Sequence, residues 1–172
     1  NVTQATGKTL TVGASGFTQQ SGTFTAAAVG MTINGGGTFN LSNGTFNAPT
    51  GTLNIGGANG SSTTLFTHSG GTFNANAGTV NINPSINSWA GSPTLTLDVI
   101  ASTHFYNLTV NAATCCNTAI VATATGDTVL VDNNLTHTYG YISGIFSLAG
   151  NLTVGSGADG GTGTIVVNGS VA

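Results

Sequence analysis

The chain has 172 residues, the length of one ordinary domain, and only 3% of them are charged, against about 25% in a typical soluble domain. Lys8 is its single basic residue apart from histidine; there is no Arg and no Glu, and the acids are Asp98, Asp127, Asp132 and Asp159. That composition leaves no electrostatic footprint for nucleic acid or anionic lipid, and no apolar run reaches the length of a membrane-spanning helix.

Disorder is excluded too, because Thr, Val, Ile and Phe are frequent. A surface this poor in charge lacks the repulsion that keeps proteins apart, which points to an assembly with copies of the same chain as partners. The chain does not begin with Met, and Asn1 reads as the start of a mature or excised segment.

Along the chain the hydrophobic period is two, not 3.6. Residues 37–57 read GTFNLSNGTFNAPTGTLNIGG, three heptads that each open with Gly-Thr, a large apolar residue and Asn. Phe39 and Leu41 alternate with Thr38 and Asn40, and the same alternation returns at Thr52–Ile55, Thr79–Ile82, Thr94–Leu97, Asn107–Val110, Asn151–Val154 and, less cleanly, Thr164–Val167. These are predicted strands of about four or five residues, separated by Gly, Asn and Ser. No helix is predicted; Ala26-Ala27-Ala28 is too short to nucleate one.

A heptad is one strand plus one corner, so three make a triangular coil of about 21 residues. The spacing predicts a β-solenoid, a parallel β-helix, with Phe39, Phe46, Leu53, Phe73 and Val80 as an inward row and Thr and Asn outside. The 20-residue step from Thr52 to Thr72 then reads as a further coil. The alternative fold is an antiparallel β-sandwich with a donated strand. One all-β domain is expected over 1–172, with a regular half at about 1–83 and a looser half at about 94–172, where Asn-Leu-Thr recurs at 107–109, 134–136 and 151–153.

The stretches GGTFNANAGTVNINP, STHFYNLTVNAAT, DTVLVDNNLTHT and LAGNLTVGSG resemble the β-strand-repeat proteins of the bacterial cell surface. The resemblance covers about residues 70–165, more weakly 8–57, and is most specific at Phe105–Val110. It implies secretion, a solenoid or adhesin-like stalk, and no catalysis. The chain departs from that pattern at Cys115-Cys116, where a Gly-rich turn is usual.

Candidate chemistry is sparse. Polysaccharide-active β-helices need a cation over an enolate-like intermediate or a carboxylate pair; here only Asp127 and Asp132 are close in sequence, and five residues apart on a strand they face opposite sides. No catalytic residue, metal site or cofactor is therefore assigned. His68, His104 and His137 each follow a Thr and read as outward polar positions. Val154–Asp159 brushes against a calcium-binding Gly-rich nonapeptide, but the motif occurs once and Gly161 stands where it needs a large apolar residue.

Adjacent Cys115 and Cys116 leave open two free thiols, a strained vicinal ring or a cross-link to another subunit. Asn-x-Ser/Thr acceptors start at Asn1, Asn40, Asn43, Asn59, Asn107, Asn134, Asn151 and Asn168. Trp89, Tyr106, Tyr139 and Tyr141 are the aromatics available for surface glycans, with Tyr139 and Tyr141 expected on one strand face. Thr-x-Thr occurs six times, but its irregular gaps do not place one copy per coil, as an ice-binding array requires; strand propensity accounts for the Thr content.

The sequence thus predicts an extracellular structural subunit of a filament, sheath or adhesive stalk at the cell surface. It would join copies of itself end to end by strand addition. The alternatives are a carbohydrate-binding surface module and, third, a polysaccharide-active β-helix enzyme.

Overall fold

The computed structural model describes residues 1–56, 61–84, 91–113 and 118–172. Its strands follow one another around a coil. The first coil holds β1 (Val2–Thr3), β2 (Leu10–Val12) and β3 (Phe17–Gln19); the second, β4 (Thr23–Thr25), β5 (Met31–Ile33) and β6 (Phe39–Leu41). The third holds β7 (Thr45–Asn47), β8 (Thr52–Ile55) and β9 (Thr63–His68); the fourth, β10 (Thr72–Asn74), β11 (Thr79–Ile82) and β12 (Thr94–Val99). β13 (His104–Asn111) and β14 (Ile120–Thr123) follow, then β15 (Thr128–Ser143), β16 (Ile145–Leu148), β17 (Asn151–Ala158) and β18 (Thr164–Val167).

Among the described residues every strand pairing is parallel, between one coil and the next. The fold is an all-β solenoid, a parallel β-helix, and not the antiparallel sandwich. It has three faces. Face I carries β1, β4, β7 and β10, then, after a break in the ladder, the starts of β13 and β15 with β16 and β18. Face II runs β2, β5, β8, β11, β13, β15, β17, and face III runs β3, β6, β9, β12, β14 and the end of β15.

The three heptads of residues 37–57 fill three successive faces. Phe39 pairs with Phe17 and Phe66, Phe46 with Phe24 and Phe73, and Leu53 with Met31 and Val80. The five inward residues predicted as one row are all buried, but they belong to three rows. Phe24, Phe46 and Phe73 stack on face I, and Phe17, Phe39 and Phe66 on face III; the two columns meet edge to face, Phe39 on Phe46 at 4.8 Å and 79°. Each buried ring contributes about 1.5–3 kcal/mol by transfer, and each pair about 0.5–1.5 more. Face II lines the lumen with Met31, Leu53, Val80, Leu108 and Leu135 instead.

Coil length varies. Leu10, Met31 and Leu53 are 21 and 22 residues apart, close to three heptads. From Leu53 to Val80 the step is 27, so Thr72 pairs with Thr45 and Thr52 with Thr79; the 20-residue step from Thr52 to Thr72 is not a coil. The extra residues enter between faces II and III, where the connections span residues 56–62, 83–93 and 112–119. The repeated Asn-Leu-Thr does mark coils, of 27 and 17 residues: Asn107 pairs with Asn134 and Asn134 with Asn151.

Gly44 and Gly71 show what the corner asks of the chain. They precede the stacked strands β7 and β10, both at φ +85°, and a Cβ on Gly71 would sit 2.5 Å from the Gly44 carbonyl oxygen. Left-handed backbone and stacking at close quarters both demand Gly here. β15, longer than any strand expected from sequence, runs around all three faces, with register shifts where it passes from one face to the next.

Candidate functional site

Alternation fixes which atoms the solenoid shows. On face II the inward Leu, Met or Val of each strand is flanked by two outward positions. Those positions read Thr52-Leu53-Asn54, Thr79-Val80-Asn81, Asn107-Leu108-Thr109, Asn134-Leu135-Thr136 and Asn151-Leu152-Thr153, all in direct register. The second outward row continues down through Thr32 to Thr11. Two parallel rows of Thr and Asn therefore run up one face, and no charged or aromatic residue stands in either. The Thr-x-Thr spacing hid this array because Asn takes about half the places.

The amides are held in place. Asn81 Nδ2 donates to Asn54 Oδ1 at 2.8 Å, and Asn133 Nδ2 to Asn107 Oδ1 at 2.9 Å. On face I, Asn74 Nδ2 donates to Asn47 Oδ1 at 2.7 Å and Asn47 Nδ2 to Thr25 Oγ1 at 3.1 Å. Face I carries a shorter array of the same kind, Thr23, Thr45 and Thr72 beside Thr25, Asn47 and Asn74, but beyond the break in its ladder it exposes Ile145 and Val166, and the outward register of face III passes through Asp98, Ile120 and Tyr141.

The Asn acceptors fall into two environments. Asn43, Asn151 and Asn168 are exposed, while Asn40, Asn107 and Asn134 are half-buried in the ladders. Asn43 Oδ1 accepts from the Gly44 N–H, and Asn151 Oδ1 from the Ser170 N–H and hydroxyl. Asn59, Trp89, Cys115 and Cys116 lie outside the described residues.

The tyrosines do not form one platform. Tyr139 and Tyr141 were expected on one strand face, yet Tyr139 pairs with Asn111 and Gly157 on face II and Tyr141 with Ile120 on face III. The chain turns the corner between them at Gly140, φ +97°. Tyr106 lies next to Asn107, at the opposite end of face II from Tyr139. Since Asn107 pairs with Asn134, about five residues of strand, roughly 16 Å, part their backbones.

Two histidines are inside, against the expectation of outward positions. His68 is 1% exposed; its Nδ1 shares a hydrogen bond with Thr103 Oγ1 at 2.8 Å, and its Nε2 makes none of good geometry. His137 is 5% exposed and donates from Nε2 to the Gly140 carbonyl at 2.7 Å. Burial lowers the pKa of both, partly offset by main-chain groups of Gly71 and Gly70 at His68 and by Gly140 and Asp159 at His137. Each sits where the alternation calls for an inward residue, a signal the sequence carried and the Thr-His pairing obscured.

Exposed His104, whose ladder partner on β15 is Leu130, meets Asp132 two residues further along that strand at 2.7 Å. Asp127 holds the Val99 N–H at 2.9 Å, a turn carboxylate capping main chain. In the segment that brushes against a calcium motif, Asp159 accepts from the Thr118 hydroxyl at 3.3 Å. Among the described residues no three His, Cys or acidic side chains gather as a metal would require.

At the amino-terminal end of the stack, β1, β2 and β3 each pair on one side only. A hollow of about 460 Å³ opens there, bordered by Val2, Phe17, Gln19 and Phe24. At the other end β18 pairs, among the described residues, only with β16, and Val166 and Val171 are exposed. No family model, curated protein or solved structure matches the chain.

Proposed function

We propose that this solenoid is a structural subunit of an extracellular filament, sheath or adhesive stalk, and that copies join end to end by strand addition. One observation carries the reading: both ends of a parallel stack offer main chain that pairs on one side only, beside apolar side chains. Such an edge is completed by another coil. The near-absence of charge removes the repulsion that would oppose it, and the resemblance to cell-surface β-strand-repeat proteins supports the extracellular setting.

The edge can be blocked without touching the fold. Phe17 N–H donates to Thr38 and the Gln19 carbonyl accepts from Ser42, so the main chain of Thr18 between them faces the open side. Thr11 holds the equivalent place on β2, since the Val12 carbonyl accepts from Asn34. The Thr11→Pro/Thr18→Pro double variant removes two outward donors, a position where an edge strand tolerates proline. The parent chain is expected to form rods in negative-stain micrographs and the variant to stay monomeric with its fold intact. A parent chain that remains a monomer by light scattering at high concentration ends the proposal.

A further inference from the structure

We propose that the outer surface of face II binds ice. Strands of a ladder stand about 4.8 Å apart, and alternate residues along a strand about 6.6 Å. The two outward rows therefore set hydroxyls, amides and Thr methyl groups on a nearly rectangular net, with a repeat close to that of the oxygen rows on faces of hexagonal ice. Every register shift in β13, β15 and β17 falls outside the net: between Phe105 and Asn107, after Val110 and after His137. The long connections all leave from the corner with face III, so changes in coil length do not break the rows.

Three features favour a water lattice over a polysaccharide. First, the rows are uncharged, which complements a neutral lattice of donors and acceptors; a charged group would hold a hydration shell of its own. Second, no aromatic stands among them to pack on the C–H face of a sugar, and Tyr106 and Tyr139 flank the net at opposite ends. Third, the net is rigid before it meets a ligand. Its strands are anchored by the buried Leu53, Val80, Leu108 and Leu135, and Asn54 is tied to Asn81. Each contact is weak, and fixed spacing lets many be made at once without the loss of freedom that a flexible surface would suffer. The inference concerns the side of the stack and holds whether or not copies join at its ends.

The test grows a polycrystalline ice hemisphere slowly from a dilute solution of the full chain, and reads the protein fraction taken into the ice and the melting–freezing gap of a single crystal. The chain is expected to enter the ice and to facet the crystal. Thr109→Tyr/Thr136→Tyr, two bulky side chains in the centre of the net, is expected to reduce both readouts at least about tenfold. Thr67→Tyr, outward on face III, is expected to leave them unchanged, with circular dichroism confirming that all three proteins are folded. Exclusion of the parent chain from ice overturns the proposal. So does an equal loss in the face II and face III variants, and so does retention on insoluble cellulose or chitin that needs face II while ice retains nothing.

Discussion

Phe46 lies on Phe73 with 5.8 Å between ring centroids and 7° between ring planes, although the two are 27 residues apart in the chain. The same register aligns Phe24 beneath Phe46, and Phe39 meets the column edge on. A coil of this solenoid is thus joined to its neighbours by aromatic columns as well as by main-chain bonds.

Phe46 is the place to test that joint, since it is fully buried and touches rings on both neighbouring coils. Phe46→Ala is expected to destabilise the chain by about 3–5 kcal/mol in urea unfolding. Phe46→Leu, which keeps most of the volume, should recover more than half. A loss under about 1 kcal/mol for the alanine would mean that the columns do not carry the stack.

Corner geometry gives a second expectation. Gly71 and Gly7 both have positive φ, but a Cβ on Gly71 runs into the Gly44 carbonyl, whereas around Gly7 there is open space. Gly7→Ala costs only the left-handed backbone, about 1–2 kcal/mol. Gly71→Ala adds a backbone collision that no side-chain rotation relieves, so its loss in melting temperature should be clearly larger. Equal losses would show that the corner can open.

Much of this was legible in the sequence, for a physical reason. In a stack, each coil satisfies the one below it, so the inward positions repeat and Phe39, Phe46 and Leu53 announce themselves. The step from Thr52 to Thr72 does not close a coil, because the Gly-Thr-Phe-Asn at residue 71 belongs to face I, one face ahead of Thr52's partner Thr79. Register in a parallel solenoid depends on loop lengths that a local pattern does not fix. The two polar rows of face II are not legible as a single-residue spacing for another reason: Thr and Asn are equivalent on an outward net and alternate in its places. His68 and His137 point inward because alternation along the strand, not side-chain polarity, decides the facing.

The amide column on face I should respond to charge. Asn74 donates to Asn47 and Asn47 to Thr25, so each link needs a donor above an acceptor. Asn74→Asp sets a carboxylate against the Asn47 carbonyl oxygen and is expected to cost about 1 kcal/mol at neutral pH. Asn74→Thr keeps a donor and should cost less. The comparison is made by urea midpoints at equal slope, and it fails if aspartate is tolerated as well as threonine.

The buried histidines make stability depend on pH. Burial holds His68 and His137 below their ordinary value of 6.5, so the folded chain keeps both neutral where the unfolded chain begins to take up protons. The unfolded state then binds more protons, and stability falls as pH drops below about 6.5, levelling only once the folded pKa values are passed. Above that range both states are neutral at these sites and the curve should be flat in their respect. The melting temperature is expected to be lower at pH 5 than at pH 7.5. His68→Leu/His137→Leu should shrink that difference, even if the variant is less stable throughout from loss of the Thr103 and Gly140 hydrogen bonds. A double variant with the parent's full pH dependence would place the titrating groups elsewhere in the chain.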